Sequence, residues 1–167
     1  MSEISKYIDN APCLLANLNA LVLDYIARQK LHGTSFNWYI VEQLPVVPES
    51  GYARKFGKKT AREIVRNLVL QLTYVSNDMA PFAKDIGFDG KPFAWDPAAR
   101  RHARAKLDAL YFHLYGIADP DIRYILGTFP IVKREDEAAF GKYLTEELVL
   151  GYWRALAAGD TEAVIAA

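Results

Sequence analysis

The sequence predicts a mainly α fold, a helical bundle with one minor strand element near residues 36–47. Three observations carry that expectation. Apolar residues recur at three- and four-residue spacing through several long segments. Helix-start signals precede them at Thr60, Asp96-Pro97 and Asp119-Pro120. Only Phe36 to Val41 has the aromatic and β-branched run of a strand.

In chain order, Leu14, Leu15, Leu18, Leu21, Val22, Tyr25 and Ile26 predict an amphipathic helix from Pro12 to Lys30. Pro12 suits its first turn and Gly33 follows its end, while Arg28 and Lys30 complement the helix dipole. Phe36–Val41 lies between Gly33 and Pro45 and reads as a short strand. Leu44-Pro45-Val46-Val47-Pro48 is extended, because proline disfavours helix in the residue before it. Tyr52 to Lys59 reads as a basic connector. Thr60 and Glu63 form a capping box for a helix to about Asn77 that buries Ile64, Leu68, Leu72 and Val75.

A short helix covers Pro81 to Ile86, and the glycines and proline of Gly87 to Trp95 make a loop. Asp96-Pro97 opens a helix to about Tyr115, with Ala103, Leu107, Leu110, Tyr111 and Leu114 as its buried stripe. Asp119, read as an N-cap, starts another to about Leu126. A last helix spans Arg134 to Ala157, with Gly141 and Gly151 as weak points, and the tail after Gly159 is expected to fray. Residues 1–50 form one region of helix, strand and extended exit, and residues 51–167 a helical C-terminal domain.

The 167 residues are 51% hydrophobic and 24% charged, a composition that excludes disorder. The net charge is zero but unevenly spread. Residues 1–50 carry three basic and five acidic side chains, residues 51–106 twelve and five, and residues 107–167 five and ten. A basic middle between acidic ends suits either a polyanion-facing surface or a solvated helix face. One cysteine excludes an internal disulfide, and Cys13 with three scattered histidines fits no metal-ligand spacing. Neither a signal segment nor a membrane-length apolar run is evident, so a cytoplasmic setting is expected.

No phosphate-binding lysine loop, serine elbow or zinc-protease helix occurs. Asp119, Asp121 and the run Lys133 to Glu137 are the nearest approach to a nuclease carboxylate set. Capping explains the first, and the solvated start of the last helix explains the run. His113 reads as packed and hydrogen-bonded, His102 as exposed, and His32 as a turn residue able to meet a ligand. Trp38, Tyr39, Trp95 and Trp153 read as core rather than base-stacking platforms.

The strongest hint of a partner is the basic run Arg54, Lys55, Lys58, Lys59, Arg62 and Arg66. It includes a helix N-terminus, itself suited to a phosphate. Arg100, Arg101, Arg104 and Lys106 form a second group. Facing one way, the two would neutralise several phosphates and position a duplex without reading it.

A family resemblance is carried by Leu14 to Lys30, His32-Gly33-Thr34 and Phe36 to Val46. It continues through Met79-Ala-Pro-Phe-Ala, Gly87 to Asp96, Leu107 to Tyr115 and Tyr124 to Val132, and fades after Trp153. This pattern resembles the region that follows the catalytic domain in large adenine-specific DNA methyltransferases of restriction-modification and phage-defence systems. Gln43 to Pro48 is also similar to the exit of a target-recognition domain in type I specificity subunits.

The resemblance implies a DNA-recognition and scaffolding role without activity of its own. In that family the methyl-donor and target-base motifs lie upstream of this region. Asn10-Ala11-Pro12-Cys13 is not a target-base loop, since its second residue is not proline and its fourth is not aromatic. No cofactor is therefore expected on this chain, and S-adenosylmethionine only in the full-length family. DNA is the expected partner, with a methyltransferase core or partner subunit as the alternative and no membrane. The turn containing Arg28, Lys30, His32, Thr34 and Asn37 is the candidate base-reading element, arginine and asparagine being suited to guanine and adenine edges. Local backbone capping is the competing role for Gln29, Thr34 and Asn37.

Overall fold

The computed structural model describes residues 3–31 and 37–166, with side chains from residue 7 onward. It is mainly helical and bundle-like, as the periodicity predicts. The helices are α1 (Glu3–Leu18), α2 (Leu21–Lys30), α3 (Trp38–Val41), α4 (Ala61–Thr73), α5 (Ala80–Asp85), α6 (Pro97–Leu114), α7 (Asp119–Gly127), α8 (Pro130–Phe140) and α9 (Leu144–Ala157). A two-stranded antiparallel hairpin, β1 (Lys55–Phe56) and β2 (Lys59–Thr60), precedes α4.

Helix α6 is the axis. It packs most extensively on α9 and next on α4. Its second half carries Ala109, Leu110, Tyr111 and Phe112, none of which is exposed at all. Cys13, Ala16, Ala20 and Val22 from the N-terminal helices join the same buried cluster as α4, α6, α7 and α9. A smaller cluster of Leu70, Tyr74, Ala83 and Ile86 closes the end near α5.

Two start signals act as the sequence predicts. The Thr60 side chain accepts from the Glu63 amide, and the Glu63 carboxylate accepts from the Thr60 amide. The Asp96 carboxylate accepts from the amides of Ala98 and Ala99 at the head of α6. Residues 45–48 form neither helix nor strand, Pro48 itself being extended, and the segment is held where the buried Asn17 Oδ1 accepts from the Val47 amide at 2.8 Å.

Several expectations are corrected. The Pro12–Lys30 helix is two helices: Pro12 lies inside α1, and the chain breaks at Asn19-Ala20. The buried face of α1 is Cys13, Ala16 and Asn17, while Leu14, Leu15 and Leu18 are about half exposed. Small residues there let α1 approach α4 closely, and the leucines turn outward. The strand expected over Phe36–Val41 is absent, because residues 38–41 form the helical turn α3. A lone strand has no partner for its backbone groups, whereas Asn37 Oδ1 accepts from the Ile40 amide and starts a helix.

The basic connector is the β1–β2 hairpin, turned by Gly57 at φ 57°. Ala118, not Asp119, holds the N-cap position of α7, and Asp119 instead pairs with Arg123 and Arg154. The long last helix is α8 and α9, separated at Gly141, which adopts φ 72°. The tail beyond Gly159 is docked rather than frayed. The Thr161 carbonyl accepts from Lys106, and Ile165 lies over Gly151, where an added Cβ would stand 2.7 Å from its methyl.

Candidate functional site

The basic run is largely tied into the fold. Arg54 donates to the His113 carbonyl at 2.5 Å and lies over Phe56. Arg62 donates to Asn10 Oδ1 and lies 3.6 Å from Glu49. Arg66 donates to the Ile86 carbonyl and lies 3.8 Å from Asp9. Lys59 pairs with Glu162 at 2.6 Å. The basic middle thus pairs with acids from both acidic ends. Lys55 and Lys58 on the hairpin remain exposed, with no carboxylate within 4.0 Å among the described residues.

The expected base-reading turn is only partly in view. Arg28 pairs with Asp24 at 2.7 Å and its guanidinium stacks over Phe129. Lys30 is half-buried at the end of α2. Asn37 is occupied as the cap of α3. His32 and Thr34 lie outside the described residues. Next to this turn, Trp38 and Tyr39 are 73% and 72% exposed, against the expectation that they are core.

The structure brings together a different site, a cleft of about 810 Å³. Its walls are the α1–α2 junction, the end of α4, the first half of α6 and α8. Leu15, Val69, Leu72 and Val132 line its apolar part. Arg100, Arg101 and Arg104 line its basic part, at positions that put all three on adjoining strips of one helix.

Each wall follows from a local rule. The last carbonyls of a helix have no partner inside it. The Leu72 carbonyl in the last turn of α4 finds one in Arg100, at 2.8 Å. The Arg100 guanidinium then lies 3.8 Å from the centre of the Trp95 ring. This stack fixes an indole that is 65% exposed at the rim. Arg101 lies 4.3 Å over Phe140. Arg104 is exposed. Among the described residues no carboxylate lies within 4.0 Å of any of these three guanidiniums, unlike Arg62, Arg66 and Arg154.

Two carboxylates also line the cleft, and both cap helices from a distance. Asp108 Oδ1 accepts from the Leu21 amide at 2.8 Å, where Ala20 supplies no side-chain cap to α2. Asp136, buried, accepts from the Thr145 amide at 2.6 Å in the first turn of α9. Surrounding protein pushes the Asp108 carboxyl up to about 7, against the opposing pull of the Leu21 amide and Arg104. Near neutrality it therefore leaves much of the positive charge of the arginines uncancelled.

The remaining polar groups are committed to structure. His113 is buried as expected: Nε2 meets the Trp153 carbonyl at 2.8 Å, and its ring stacks on the Trp153 indole. His102 is half-buried rather than exposed, with Nδ1 2.9 Å from the Tyr152 hydroxyl. Burial raises the Cys13 thiol to about 11, so it is not a nucleophile at neutral pH. The nuclease candidates do not converge, because Asp119 is held by Arg123 and Arg154 while Asp136 caps α9. What the cleft offers is binding: planar cations beside an apolar floor and an exposed indole.

Sequence reasoning noticed the three arginines only as a second group and placed Trp95 in the core. Asp136 entered only as part of the solvated run Lys133 to Glu137, and Asp108 was not singled out. A usable signal for Trp95 was its position, at the end of a Gly/Pro loop and directly before the Asp96 cap. Core tryptophans sit inside elements, not at their mouths. For Asp108 no local signal exists, since the amide it caps is 87 residues away.

Comparison with protein-family models, curated proteins and solved structures finds no match to this chain. No helix among the described residues is long and apolar enough to cross a membrane.

Proposed function

We propose that this chain is a non-catalytic DNA-recognition and scaffolding portion of an adenine-N6 DNA methyltransferase of a restriction-modification type system, working in the cytoplasm. Methyl-donor binding belongs elsewhere in such an enzyme. The observation that carries the reading is the group Arg100, Arg101 and Arg104, three guanidiniums without a carboxylate within 4.0 Å among the described residues, on adjoining strips of α6. Planar guanidinium groups suit phosphate oxygens. The sequence resemblance from Leu14 to Val132 supports the same reading.

The test is fluorescence anisotropy with a labelled random duplex at two salt concentrations. Binding should weaken steeply as salt rises, because each neutralised phosphate releases counterions. Charge reversal at Arg101 and Arg104 should lower both the affinity and its salt slope. Unchanged binding in that double variant sinks the assignment of this surface.

A second reading, docking on a methyltransferase core or partner subunit without DNA contact, has its own observation. Leu14, Leu15 and Leu18 form an apolar strip on α1, beside the cleft at Leu15, that the described residues leave about half exposed, at 48%, 44% and 50%. Leu14→Glu with Leu18→Glu should then abolish co-elution with such a core while leaving the helical content intact. Co-elution that survives both changes removes this face from the interaction.

A further inference from the structure

We propose that the cleft seats a single unstacked nucleotide, its base on the open face of Trp95 and its phosphate against Arg101 and Arg104. This rests on the reading of the chain as a DNA-contacting module, and it specifies which part of the nucleic acid the cleft takes.

Three observations lead there. The cleft volume of about 810 Å³ suits one small-molecule-sized group. Trp95 has one face covered by Arg100 and is still 65% exposed, so its other face is presented to whatever enters. Arg100 does not merely neighbour the ring; it is itself anchored on the Leu72 carbonyl, so the indole is held in place before any ligand arrives. A preset aromatic face is the element that sequence-tolerant recognition of unpaired bases uses, with cations supplying the phosphate contacts.

The floor completes the match. Leu15, Val69 and Val132 give the sugar and base edge an apolar surface. Asp108 Oδ1 and Asp136 Oδ2, on the acids of the cleft, accept from the amides of Leu21 and Thr145, and neither carboxylate lies within 4.0 Å of the three arginines. A base paired in a duplex keeps both faces in its stack. Only an unpaired, flipped or free nucleotide can lay a face on Trp95.

The experiment uses the full chain and three probes: a labelled oligothymidylate, a duplex of equal length, and thymidine 5′-monophosphate as competitor. The single strand should bind more tightly than the duplex. Trp95→Ala should weaken single-strand binding roughly 5- to 150-fold and duplex binding much less, and Trp95→Phe should restore most of the loss. Circular dichroism checks that both variants fold, which the exposure of Trp95 favours. Displacement by the monophosphate assigns the cleft to a free nucleotide. A strand that binds through Trp95 yet resists the monophosphate assigns it to a nucleotide within a chain. Salt-sensitive duplex binding with no single-strand preference, and no effect of Trp95→Ala, overturns this inference and leaves the module reading standing. Absence of binding to every probe overturns both.

Discussion

Replacing Asp108 by asparagine should change how stability depends on pH, because its carboxyl has a folded-state value of about 7 against an ordinary 3.8. Burial is the main cause, and the Leu21 amide and Arg104 only partly oppose it. The folded chain therefore holds this proton where the unfolded chain has released it. The associated stabilisation is whole below about pH 4 and is lost progressively as pH rises through about 7. At 1.36 kcal/mol per unit the ceiling is about 4 kcal/mol, and the half-buried position lowers the expectation to about 2 kcal/mol.

Asparagine keeps an Oδ1 for the Leu21 amide but does not titrate. Alanine removes the bond as well, leaving the start of α2 without its distant cap, at a cost of about 1–2 kcal/mol at every pH. The assay is urea denaturation followed by circular dichroism between pH 4 and pH 8. The difference in stability between asparagine variant and parent should move by about 2 kcal/mol in favour of the variant across that range. Parallel curves for the two proteins would refute the reasoning, since they would mean that Asp108 ionises alike in the folded and unfolded chain.

Asn17→Ala should cost about 2–3 kcal/mol in the same denaturation assay, because it strands the Val47 amide and removes the bond that the Tyr115 hydroxyl accepts, both now made to a side chain that is fully buried. Gly57→Ala should destabilise by more than about 1 kcal/mol: φ is 57°, and a Cβ there would stand 2.1 Å from the Gly159 carbonyl oxygen, so a lower melting temperature and a loosened tail are expected by hydrogen exchange. Thr60→Ala should cost about 1 kcal/mol through the capping box of α4, whereas Lys59→Ala should change stability by less than that, its partner Glu162 being exposed.

The sequence by itself determined what depends on near neighbours. Thr60 with Glu63 and Asp96 with Pro97 start α4 and α6 because a cap needs only the next three residues. The stripe Leu107, Leu110 and Tyr111 is buried because 3.6-residue periodicity marks a face of a helix whatever packs there. Pro45 and Pro48 keep their segment out of helix, and Pro48 itself is extended. The mainly α class follows from these local signals, summed along the chain.

Tertiary structure decided the rest, and the site with it. The leucines of α1 satisfy the helical period as well as Cys13, Ala16 and Asn17 do, so periodicity alone could not choose which face turns inward. Phe36 to Val41 has strand propensity, yet residues 38–41 form α3, because no second strand lies alongside among the described residues and Asn37 offers a cap. Charge counts placed a basic surface at Arg54 to Arg66, but Asp9, Glu49 and Glu162 arrive from distant segments and pair with much of it. The arginines of α6 have no carboxylate within 4.0 Å among the described residues, and the two acids that share their cleft, Asp108 and Asp136, each accept from the amide of another helix. Which cation is neutralised and which is presented depends on distances between residues far apart in the chain, and those distances are set only when the helices pack.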